Sequence, residues 1–82
     1  MVYNKIMKLD KEKLNALIEL TKHYYTTHNI DILGAMFTLG EEVFGDDYSN
    51  MDDVITGITC RDKSEPYETY YKVFEVLGYE VE

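Results

Sequence analysis

The densest chemistry in this chain lies between Gly40 and Cys60. Six carboxylates (Glu41, Glu42, Asp46, Asp47, Asp52 and Asp53) occur there with no lysine or arginine among them. Such a run calls for a calcium test. An EF-hand loop takes oxygen ligands at positions 1, 3 and 5, glycine at 6 and glutamate at 12. Starting at Asp46 puts Tyr48 at position 3, Met51 at 6 and Gly57 at 12, and starting at Asp47 puts Met51 at 5 and Ile58 at 12. Neither frame fits. The run therefore reads as a solvated acidic turn, and no metal site is expected.

The other reactive side chains form no constellation. His23 and His28 are five residues apart, about 140° around a helix, so they cannot chelate one ion together. A zinc site wants three or four ligands, and Cys60 is the only cysteine, far away in sequence. His28 reads as a structural histidine near a helix end, bonding a carbonyl or Asp31. Arg61 beside Cys60 favours a thiolate, but no partner spacing builds a triad, and a buried or half-buried free thiol is the simpler expectation. There is no glycine-rich phosphate loop or dinucleotide fingerprint. The chain is not expected to be an enzyme or to carry a cofactor.

Charge is unevenly distributed. The net charge is −8. Residues 1–28 hold five lysines against three acids, whereas residues 29–82 hold three bases against 13 acids, a net −10. Phosphate contacts need a basic face, so direct nucleic-acid binding is not expected. A lone cysteine excludes an internal disulfide and fits a reducing, cytoplasmic setting. The lysines of the first eight residues are followed by no apolar core, so no secretory signal is expected. The longest apolar run falls well short of the roughly 20 residues that cross a bilayer.

The acids need elements to position them, and the most apolar segment, residues 30–45, immediately precedes them. At about 100° per residue, Leu39, Ile32, Val43, Met36, Gly40, Leu33, Phe44, Phe37 and Ile30 follow one another around an arc of about 180°. This predicts a half-buried central helix, with Gly40 letting another helix come close. Asp10 is the expected N-cap of an earlier amphipathic helix reaching Thr27, with Leu14, Leu17, Ile18, Thr21, Tyr24 and Tyr25 on its apolar face. Asn29 or Asp31 caps the central helix, and residues 45–50 read as a loop. A short third helix over residues 50–59 follows, capped through Ser49 and Asp52 or through Asn50 and Asp53. A fourth starts at Ser64-Glu65-Pro66, with serine as cap, and ends at Gly78. Its tyrosines, like those of the first helix, are expected to pack with hydroxyls reaching water. Residues 2–9 fit a short strand or an extended lead-in, and residues 79–82 fit either its partner strand or a frayed segment. The expected fold is all-α: one domain over residues 1–82, a compact bundle of about four short helices with room for a minimal strand pair at the termini.

Function is then a matter of surface. Glu41, Glu42, Asp46, Asp47, Tyr48, Asp52 and Asp53 form the expected partner-binding set, with Tyr48 as an aromatic contact inside an acidic rim. A turn tyrosine folded back over the core is the competing reading of Tyr48. The set suits a small antagonist that docks on a basic protein. It would act either as a nucleic-acid mimic filling the phosphate cleft of a nuclease or CRISPR effector, as some phage inhibitors do, or as an immunity-type protein neutralising a basic toxin. The alternative is a structural module that self-associates as a homodimer through leftover apolar surface.

Overall fold

Asp10 starts the helical body. Its carboxylate accepts from the backbone N–H groups of Glu12 (2.9 Å) and Lys13 (3.2 Å), giving the first helix an acidic side-chain cap. The computed structural model describes residues 7–82. In order they form β1 (Met7–Leu9), α1 (Lys11–Thr27), α2 (Ile30–Phe44), a 3-10 turn (Gly45–Asp47), α3 (Tyr48–Arg61), α4 (Tyr67–Val76) and β2 (Tyr79–Val81). The fold is all-α with one two-stranded sheet, as the periodicity predicts. Residues 2–6 of the expected lead-in lie outside the described residues.

The three-residue turn Gly45–Asp47 joins α2 to α3 without a loop, so the two form one long rod bent at Gly45, and the described residues make three rods. The loop expected at residues 45–50 is therefore replaced by a turn of three residues, and α3 begins earlier than expected. The backbone N–H of Gly45 bonds Glu41 O and that of Tyr48 bonds Gly45 O, so hydrogen bonds close both sides of the bend. Neither expected serine or asparagine cap forms: Ser49 and Asn50 already lie inside α3, and Asp47 holds the cap position without a side-chain cap bond. Pro66, not Ser64, precedes α4. Ser64 is turned the other way, with its N–H and hydroxyl both donating to Asp62 Oδ1 at 2.9 and 2.6 Å. Between α1 and α2, Asn29 is the cap and His28 adopts the left-handed conformation (φ 56°), its N–H closing onto Tyr24 O. His28 is exposed, so its role is a backbone one.

The core gathers one face from each element: Leu14, Leu17 and Ile18 from α1, Met36, Val43 and Phe44 from α2, Tyr48, Ile55 and Ile58 from α3, and Tyr70 and Phe74 from α4. Fully burying such a side chain contributes about 1.5–3 kcal/mol, so this set is the main source of cohesion. Phe44, Phe74 and Tyr79 form a mutual aromatic cluster with ring centres 5.2–6.0 Å apart. The sheet closes below it. β1 and β2 are parallel, pairing Met7 with Tyr79, Lys8 with Glu80 and Leu9 with Val81, and the helical body serves as their crossover. The bonds Glu82 N to Leu9 O and Lys11 N to Glu82 O continue this closure into α1.

Two expectations about individual side chains change. Tyr70 is fully buried, and its hydroxyl meets Thr59 Oγ1 at 2.8 Å without reaching water. Tyr71, half-buried, bonds Asn15 of α1 through its hydroxyl. Cys60 is exposed, because α3 turns Ile58 and Thr59 inward and the next position outward.

Candidate functional site

The bend between α2 and α3 collects the acidic residues from three consecutive elements. Glu41 and Glu42 lie in the last turns of α2, Asp46 and Asp47 in the 3-10 turn, and Asp52 and Asp53 in the first turns of α3. Gly45 makes the bend with φ 62° and ψ −138°, a backbone conformation open to glycine and strained for other residues. Glu41 and Asp46 share one surface cleft, but the six acids do not share one role.

Asp47 is a structural tie. Its Oδ2 accepts from the Tyr79 hydroxyl of β2 and its Oδ1 from Asn50 Nδ2 at 3.0 Å. These bonds favour the carboxylate and hold its pKa below the usual aspartate value. Burial, reinforced by the Asp47 bond and charge, pushes the Tyr79 phenol up to about 12. Tyr48 is buried, only 4 % exposed, with its ring packed over Gly40. It belongs to the core, so its expected role as an exposed aromatic anchor is corrected. A ring at the first position of α3 faces the rod it has just left, where Gly40 provides the space.

Asp52 accepts from the Tyr48 hydroxyl at 3.3 Å. Burial raises the Asp52 pKa, although the Tyr48 bond opposes this, and burial together with the Asp52 charge raises that of Tyr48. Asp52 is thus half-buried and turned toward the core edge. Glu42 pairs with Lys13 of α1 at 3.5 Å, both side chains about half exposed, which is a contact of at most about 1 kcal/mol. Glu41, Asp46 and Asp53 are exposed and in no ion pair among the described residues. Of the expected binding set, these three present unengaged carboxylates.

An aromatic side chain expected in the core lies beside two of them, Glu41 and Asp46. Phe37 is 51 % exposed and stands edge-on to Tyr48, ring centres 6.0 Å apart and planes at 90°. It lines a surface cleft of about 340 Å³ with Glu41, Gly45, Asp46, Tyr48 and Ser49. Phe37 and Ile30 end the apolar arc, next in angle to Glu41, and Ile30 is also exposed. That edge position was the available signal.

The site offers recognition: carboxylates at the rim, an aromatic wall and one hydroxyl. Among the described residues no three or more His, Cys, Asp or Glu side chains are arranged to hold a metal ion. His23, His28 and Cys60 do not line the cleft. No helix among the described residues is long and apolar enough to cross a membrane. Comparison with family models, with curated proteins and with solved structures gave no match to this chain.

Proposed function

We propose that the protein is a small binding antagonist that docks the α2–α3 bend on a basic patch of another protein. The observation that carries this reading is the trio Glu41, Asp46 and Asp53, exposed and without an ion-pair partner among the described residues, the first two lining a cleft with the exposed ring of Phe37. Carboxylates held outward on a turn and two helix ends complement lysines and arginines that ordinarily grip phosphates, and their field speeds encounter. The partner class is a nuclease, a CRISPR effector or a basic toxin, met in the cytoplasm, and the mode of action is occlusion without catalysis.

The test is capture of partners from the source cell by the wild type and by the triple variant E41Q/D46N/D53N, at low and high salt. A basic partner released by salt and lost with the variant is expected, because exposed pairs are screened beyond a Debye length of about 10 Å at 0.1 M salt. Recovery of the same proteins by both forms, insensitive to salt, overturns the reading.

A second reading, a self-associating homodimer, is favoured by the exposure of Ile30 (76 %), Val76 (86 %) and Leu77 (48 %). Sedimentation across a concentration series decides it, since a strict monomer removes it.

A further inference from the structure

We infer that the cleft at the α2–α3 bend is an arginine-binding pocket, which takes the guanidinium of one arginine carried on the surface of the partner protein. The inference rests on the proposed function in requiring a basic partner, and goes beyond it in naming the side chain and the point where it seats. Phe37 is half exposed, and its ring stands perpendicular to that of the buried Tyr48. Tyr48 is itself seated over Gly40, so the aromatic wall rests on the core and does not need to be ordered by the ligand. Glu41 follows Phe37 by four residues on the same helix, which sets its carboxylate beside the ring. Asp46 comes from the other side of the bend, brought there by the turn at Gly45. The cleft volume of about 340 Å³ falls at the small end of the range for ligand sites, roughly 300–1,000 Å³, and suits one long side chain.

The chemistry of the lining selects the occupant. An aromatic face beside carboxylates matches a planar, weakly hydrated cation that stacks and donates a fork of hydrogen bonds at once. Lysine offers a strongly hydrated point charge and loses the stacking contribution. A phosphate or nucleic acid is repelled by Glu41 and Asp46. A second copy of this chain brings its own net charge of −8 and its own Glu41 and Asp46 to the same spot, which opposes self-docking.

The experiment is an NMR titration of the isotope-labelled full chain with blocked alanine pentapeptides carrying one central arginine, lysine or citrulline. Expected shifts are confined to Phe37, Glu41, Gly45, Asp46 and Ser49. Half-saturation by the arginine peptide should come at about threefold lower concentration than by the lysine peptide, and about tenfold lower than by the neutral citrulline peptide. Phe37→Leu keeps apolar bulk at a half-exposed position and should erase the preference of arginine over lysine, with an unchanged melting temperature. Glu75→Gln, an exposed acid on α4 away from the cleft, should leave both titrations as they were.

Equal response to arginine and lysine overturns the inference, as do shifts spread over every acidic helix face. Shifts of Ile30 and Phe37 that track protein concentration without peptide also overturn it, in favour of a second copy. The two proposals fail separately. No arginine preference, with partner capture still lost in the triple variant, removes the pocket alone. Arginine preference, with capture unaffected by the triple variant, supports the pocket and removes the antagonist.

Discussion

Thr59 Oγ1 donates its single proton to the Ile55 carbonyl at 2.8 Å, so the Tyr70 hydroxyl must be the donor in the 2.8 Å contact between the two side chains. Both residues are fully buried. The consequences of removing either partner are therefore unequal. Tyr70→Phe deletes the donor and leaves Thr59 bonded to Ile55, which should cost about 0.5–1.5 kcal/mol. Thr59→Val keeps the shape but leaves a buried O–H without an acceptor, which should cost about 1–3 kcal/mol. Urea unfolding of the two variants checks the order, and a Tyr70→Phe loss that equals or exceeds that of Thr59→Val contradicts the assignment. Helical phase places Tyr70 on an apolar face, which the sequence makes plain. Its bond to Thr59 depends on how α3 and α4 meet across the turn at Asp62, and single-helix periodicity carries no information about that.

At the scale of the elements, the junction of α2 and α3 is the least legible part of the chain and the part that builds the site. Helix extents were readable wherever a full amphipathic period ran, as from Asp10 to Thr27 and from Asn29 to Phe44. Between Gly45 and Asn50 no period exists, and the glycine and aspartates signal a loop as strongly as a tight helical turn. The choice falls to Tyr48, whose ring packs over Gly40. A Cβ built at Gly40 collides with that ring, so Gly40→Ala should destabilise by about 1–3 kcal/mol even though alanine favours a helix by about 1 kcal/mol. Gly34, six residues earlier on α2, has nothing within 4 Å of a Cβ, and Gly34→Ala should raise stability by up to about 1 kcal/mol. Denaturation midpoints moving in opposite directions confirm the close approach. A neutral Gly40→Ala removes it. Close approach at Gly40 was legible in the sequence; that its partner is the first residue of α3, and not a separate helix, was not.

Across the whole molecule, the Asp47–Tyr79 bond joins the bend to the terminal strand over a separation of 32 residues. Its pH dependence follows from the directions of the two shifts. The Asp47 carboxyl is lowered in the folded state, so its contribution is present above the ordinary value of 3.8 and is lost as pH falls through the folded pKa. Tyr79 is raised, so the fold loses stability as pH climbs from 10.0 toward about 12, where the unfolded phenol has already ionised. The stability gap between wild type and Asp47→Ala, from unfolding curves at several pH values, should be widest near neutrality and narrow in acid. A gap independent of acidification means that the carboxylate charge plays no part. The sequence showed Asp47 as one acid of six, and only the paired strands bring Tyr79 to it. Tyr48 carries a longer consequence. One ring supports Phe37 outside and fills the space above Gly40 inside, so the two sides of the bend cannot be rewritten independently. Anyone retargeting this protein by library selection should randomise positions 37, 41, 46 and 53 freely while holding 40, 45 and 48 fixed, because changes at the latter three alter the scaffold before they alter its preference.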